Sequence, residues 1–103
     1  MASKFQEQII KKLEISGALV LKTIRLNKAG YPDIIAKYKD SNVVLWIEVK
    51  EDNDILSPLQ KVRIDELNEF GYLACCIQKS KGIIYPENEQ KVLTIKKHID
   101  FFL

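Results

Sequence analysis

The sequence predicts an α/β fold, with a mixed central sheet flanked by helices. Two segments, near positions 3–17 and 57–71, carry helical apolar spacing with start and stop signals. Four further segments, rich in branched and aromatic residues, read as strands. The second helix lies between strands three and four, as in a right-handed crossover between parallel neighbours. Strands two and three are separated only by a short turn, which implies an antiparallel hairpin. The predicted order is αβββαβ, followed by a C-terminal tail.

In "SKFQEQIIKKLEISG", Phe5, Ile9, Ile10 and Leu13 share one side, Ser3 with Gln6 resembles a capping box, and Gly17 marks the end. "ALVLKTIRL" follows as a strand and "NKAGY" as a turn. "PDIIAKYK" is the second strand, with Pro32 acceptable at its start. "DS" or "KDSN" turns the chain into the third strand, "NVVLWIEVK". "EDND" is a polar loop. In "SPLQKVRIDELNEFG", Ser57 caps, Pro58 takes the first helical position, Gln60 completes a capping box and Gly71 ends the helix. "YLACCIQ" is an apolar run typical of a strand buried on both faces. "GIIYP" reads as an edge strand. "NEQKVLTIKKHIDFFL" fits a helix through Val92, Ile95, Ile99 and Phe102, although "VLTI" alone also suits a strand.

The 103 residues suit one domain, residues 1–103, and 47% hydrophobic content is enough for a core without disulfides or structural metals. A net charge of +2 is too small for binding nucleic acid by bulk charge, but it is compatible with a local basic patch beside an acidic site. Cys75 and Cys76 are strand neighbours that cannot form an unstrained bridge, so two reduced, buried thiols are expected. His98 is the only histidine, which removes the usual zinc patterns. No signal peptide or bilayer-length apolar run is evident, so an intracellular protein without a membrane partner is expected.

The hairpin raises the chemical question. A two-residue loop at Asp40-Ser41 puts Lys39 opposite Asn42, and a four-residue loop puts Tyr38 opposite Val43. Both registers set Asp33 directly opposite Glu48, with Cβ atoms about 5 Å apart. The other face then carries Ile34, Ala36, Tyr38, Val43, Leu45, Ile47 and Val49, an apolar set that fixes the register by burial. Like charges face to face are destabilising, and a bound divalent cation supplies a reason for them. Lys50 shares the face of Glu48. Two carboxylates, a backbone carbonyl such as that of Val49 and an adjacent ammonium suit phosphodiester hydrolysis. The lysine would orient the attacking water or stabilise developing negative charge.

Pro32-Asp33 followed by Glu48-Val49-Lys50 resembles the PD-(D/E)XK nuclease superfamily, with its restriction-endonuclease-like core. "GYPDII", "IEVK", "LSPLQ" at a helix start and "FGYLACCI", in that order, resemble its VRR-NUC (virus-type replication-repair nuclease) branch. The likeness runs from the first helix to about Gln78. It implies a Mg²⁺- or Mn²⁺-dependent DNA endonuclease of replication or repair, in a bacterial or phage-infected cell. Asp33, Glu48 and the Val49 carbonyl would be metal ligands, Lys50 the catalytic lysine, and Gln60 a support from the helix start. Related nucleases often add a glutamate from the first helix. Glu7 is the acidic residue available early there, although it lies off the Phe5–Ile9–Leu13 stripe, and Glu14 is held in reserve. The branch is similar to Holliday-junction resolvases, which implies a homodimer acting on branched DNA. A flap or nicking nuclease and a non-cutting nucleic-acid-binding subunit are the alternatives.

Plainer readings stand beside these. Glu48 and Lys50 alone would suit an exposed ion pair, Asp33 after Pro32 suits turn chemistry, and the capping box explains Gln60. Trp46, Tyr31 and Tyr72 suit packing as well as base stacking. Lys22, Arg25 and Lys28, with Lys37 and Lys39, form a candidate phosphate-binding edge. The apolar tail "IDFFL" suits a cover for the sheet or a dimer contact.

Overall fold

The computed structural model describes residues 3–99. A five-stranded sheet runs in the order β1 (Ala18–Lys22), β2 (Ile34–Tyr38), β3 (Leu45–Lys50), β4 (Leu73–Gln78), β5 (Gly82–Tyr85). Three helices, α1 (Lys4–Ile15), α2 (Pro58–Glu69) and α3 (Glu89–Ile99), cover its faces. The β3 and β4 strands are parallel and the other neighbours antiparallel, which is the mixed sheet expected from the sequence.

The alternating side chains sort the layers. Ile34 and Ala36 of β2, Leu45, Ile47 and Val49 of β3, and Cys75 and Ile77 of β4 pack against Ile9 and Leu13 of α1 and Ile95 and Ile99 of α3. On the opposite face, Ala74 and Cys76 pack against Ile64 and Leu67 of α2, with Tyr31 and Trp46 at the margin. Glu48 and Lys50 belong to this second face, beneath α2. Cys75 and Cys76 point to opposite layers as buried free thiols, and burial pushes the Cys76 thiol up to about 12. Such groups are packing residues, not nucleophiles.

The hairpin has the expected register, with Ile34 opposite Ile47 and Ala36 opposite Leu45. One step further along this register, Asp33 faces Glu48. The connection is longer than the tight turn expected. The paired ladder ends at Ala36 and Leu45, and Val44 spends its carbonyl on Leu73 N of β4, at 3.0 Å. The first strand is also shorter than "ALVLKTIRL". Its ladder with β2 closes at Lys22 opposite Ile34. Two residues on, the partner position falls to Pro32, which has no N–H to donate. Thr23 makes the last contacts, its N–H donating to Asp33 O at 2.8 Å and its hydroxyl donating to Pro32 O.

The helix boundaries follow the capping signals. Ser3 Oγ accepts from Gln6 N at 3.0 Å, and α1 gives way to Gly17 at φ 102°, a left-handed conformation that favours glycine. The tail resolves in favour of a helix, since Ile95 and Ile99 of "VLTIKKHI" are buried on one side of α3. Phe102 and the rest of "DFFL" lie outside the described residues.

Candidate active site

Asp33 arrives at the end of the long loop from β1, where Thr23 and Val49 of β3 hold it at the register position facing Glu48. Its backbone is fixed by Thr23, and its Oδ2 accepts from Val49 N at 3.2 Å. Glu48 sits mid-strand and is only 4% exposed. Its Oε2 lies 3.7 Å from Lys50 Nζ and 3.4 Å from Gln60 Nε2. Its Oε1 is buried and, while both carboxylates are ionised, has no hydrogen-bond donor to satisfy it. A buried carboxylate oxygen left bare is costly unless a ligand satisfies it.

The electrostatics show the same tension. The Glu48 carboxyl is pushed up to about 8, first by burial, then by the charge and hydrogen bond of Asp33, with Lys50 pulling the other way. Without a cation, the pair therefore holds a proton that an isolated glutamate would release. Asp33 and Glu48, with a backbone carbonyl such as that of Val49, whose N–H meets Asp33, offer hard oxygen donors, the chemistry preferred by Mg²⁺ and Mn²⁺. Among the described residues, no three His, Cys, Asp or Glu side chains cluster as a ligand set. A metal held here would therefore take its remaining positions from backbone, water and substrate. The bare Oε1 and the oxygen-only donor set fit such an ion.

The α2 start contributes through one side chain with two jobs. Gln60 Oε1 accepts from Ser57 N at 2.9 Å while Ser57 Oγ accepts from Gln60 N at 3.1 Å, the capping box expected from the sequence. The amide nitrogen of Gln60 is thereby turned toward Glu48. The structural and the functional reading of this residue are thus compatible. Glu7 is exposed in the first turn of α1, and no described hydrogen bond or ion pair links it to Asp33, Glu48 or Lys50. Glu14 is likewise exposed. Lys22, Arg25 and Lys28 are all exposed, and Arg25 and Lys28 line an open cavity of about 270 Å³ on the loop before Asp33.

Sequence reasoning missed how that loop is secured. Arg63, one turn beyond Gln60, donates through Nε to Ala29 O at 2.9 Å and lies 4.8 Å from the centre of the Tyr31 ring. Tyr31 OH donates to Glu66 on the next turn of the same helix. Gly30 has φ 89°, and a Cβ there would stand 2.7 Å from Leu59 Cγ. One face of α2 therefore holds the segment before Pro32-Asp33 while its first turn reaches Glu48. The positions Leu59, Arg63 and Glu66 were visible as one helical stripe, but nothing in the sequence said what they meet. Trp46 is flanked by Tyr31 and Tyr72, with ring centroids 6.0 Å away in each case, and so contributes to packing.

The profile of the VRR-NUC domain matches residues 2–79. Among solved structures, one described as a VRR_NUC domain is 21% identical, covers 90% of this chain and 91% of its own, and superposes with a TM-score of 0.65. Hjc, a Holliday junction resolvase from the archaeal hyperthermophile Archaeoglobus fulgidus, is 21% identical, with 76% of this chain and 68% of its own covered at a TM-score of 0.58. At these identities the structural likenesses establish a shared fold. No curated protein sequence matches. The matched segment contains Asp33, Glu48, Lys50 and Gln60, and over that length the chain belongs to the VRR-NUC domain family, a family of nucleases.

Proposed function

We propose that residues 1–103 form a single nuclease domain, a divalent-metal-dependent endonuclease that hydrolyses DNA phosphodiester bonds in branched substrates such as four-way junctions, acting as a homodimer. The observation that carries the metal site is the bare, buried Glu48 Oε1 beside Asp33. Asp33, Glu48 and the Val49 carbonyl would hold Mg²⁺ or Mn²⁺. When bound, such an ion lowers the pKa of a coordinated water and offsets charge on the phosphate.

The chain's own residues do the rest. Asp33 is held in place by Val49 N, so its carboxylate does not need to be ordered on binding. Gln60 and Lys50 restrain Glu48 Oε2 from two sides and leave Oε1 available. The Lys50 ammonium stands at the edge of the carboxylate pair, where it can meet a phosphate oxygen or an attacking water and stabilise developing negative charge. The likeness to Hjc supports branched DNA as substrate. A two-fold symmetric junction needs a cut in each of two strands, which a homodimer provides with one site near each.

Cleavage of end-labelled single-stranded, duplex, flap and four-way-junction DNA tests this reading, in Mg²⁺, Mn²⁺ or EDTA, with Lys50→Ala as control. Paired metal-dependent nicks on the junction, absent in the variant, are expected. Preferential cutting of flaps or duplex would remove the junction assignment and keep the nuclease. Binding without cutting in any metal would replace the enzyme with a nucleic-acid-binding subunit.

A further inference from the structure

The loop between β1 and β2 has both ends fixed and an apolar tip left out. Thr23 ties its start to Pro32 and Asp33, and Arg63 ties Ala29 near its end to α2. Between these anchors Ile24 is 90% exposed, more than any other large apolar side chain described, and Leu26 is 44% exposed. A single exposed isoleucine needs no explanation on most surfaces. Here it follows directly after Thr23, whose backbone N–H donates to the Asp33 carbonyl, so the tip is tied through the backbone to the position of Asp33.

The loop that carries it is basic, and Arg25 and Lys28 line the same open cavity as Ile24. From Ile15 to Lys39 the only acidic residue is Asp33, against Lys22, Arg25, Lys28, Lys37 and Lys39, although the whole chain carries only +2. A two-fold contact between copies through this surface would set that basic segment against itself. A polyanion complements it. Apolar side chains bordered by lysine and arginine are the means by which DNA-binding proteins wedge open a base step while holding the flanking phosphates.

Building on the nuclease reading, we propose that Ile24 is a wedge that enters an unstacked step at a DNA branch point, with Lys22, Arg25 and Lys28 on the neighbouring phosphates. The wedge selects branched over continuous DNA because unstacking is already complete at a branch and costs extra in duplex. The fixed loop ends keep the tip in register with Asp33, so recognising the branch sets the distance to the scissile phosphate.

The test uses a four-way junction and a matched duplex with 2-aminopurine at the branch or the equivalent position. DNA is bound by Lys50→Ala protein in Mg²⁺ so that no strand is cut. Binding is expected to raise fluorescence on the junction. Adding Ile24→Ala should abolish the rise and reduce the junction-over-duplex affinity ratio about tenfold, while Ile24→Leu should keep both. Because Ile24 is almost fully exposed, these variants should fold normally. An unchanged fluorescence rise in Ile24→Ala overturns the wedge, as does a fall in sedimenting mass, which would make the tip a contact between copies. Absence of DNA binding overturns it together with the nuclease reading. Cleavage by the Lys50-containing protein is measured in parallel. Unaltered substrate preference in Ile24→Ala sinks the wedge alone, whereas no cutting with the fluorescence rise intact sinks the nuclease alone.

Discussion

At the residue scale, Glu48 is where burial, charge and chemistry conflict. Burial, with the charge of Asp33, pushes its carboxyl up to about 8, against 4.5 for an unperturbed glutamate. The folded state thus holds the proton more tightly than the unfolded chain. Stability from this group is fully present below about pH 4.5 and is lost as pH rises toward 8. Every tenfold gain in proton affinity on folding is worth about 1.4 kcal/mol, a large share of the roughly 5–15 kcal/mol that stabilises a small domain. Denaturant melts in chelator should show the midpoint falling between pH 5 and pH 8. Glu48→Gln, neutral at every pH, should flatten this fall. An unchanged slope in the variant would mean that Glu48 is not the titrating group. The pairing of Asp33 with Glu48 was legible because the hairpin's apolar face admits one register only. The raised affinity for a proton was not, since burial beneath α2 depends on how a distant helix packs.

At the element scale, α2 links helix capping to the acidic pair, and two substitutions separate these roles. Ser57→Ala removes the side chain that accepts from Gln60 N and should cost about 1 kcal/mol of stability, with little change in Mn²⁺ affinity. Gln60→Ala removes the reciprocal cap and the contact with Glu48, so it should cost a similar stability and also weaken Mn²⁺ binding severalfold, toward the roughly 10–100-fold range of outer-shell losses. Calorimetric Mn²⁺ titration of both variants checks this. Equal affinities would reduce Gln60 to a cap. The helix itself was plain in "SPLQ" because the capping box is a local code. The clamp by Arg63 and Glu66 on the Ala29–Tyr31 segment was hidden, because it joins residues more than 30 positions apart with no local pattern. The end of β1 at Lys22 was a similar case. "ALVLKTIRL" is apolar enough to continue as a strand, and only the register shows that Pro32 falls where a donor is needed.

At the scale of the whole molecule, the acidic pair joins two neighbouring strands, and the helix above completes their surroundings. A cation bridging Asp33 and Glu48 would bind the folded chain and not the unfolded one, where the carboxylates are far apart on average. Mn²⁺ at about 100 times its dissociation constant should then add about 2.7 kcal/mol. For a chain of this size, that raises the melting temperature by about 10 °C or more. Asp33→Asn and Glu48→Gln should each lose most of this gain. Both should also melt higher than the parent in chelator at pH 8, because each removes one of two facing carboxyl charges. Lys50→Ala should keep the Mn²⁺ gain while losing cleavage, since the lysine is not among the oxygen donors. Scanning calorimetry of the four proteins in EDTA and in Mn²⁺ separates these cases. A metal-independent melting temperature in the parent would leave the bare Glu48 oxygen as an uncompensated defect of the core and refute the metal site. The opposite pattern, a parent that is weak in chelator and strong in Mn²⁺ with variants insensitive to either, would show that the fold sacrifices stability at one place in order to hold an ion there.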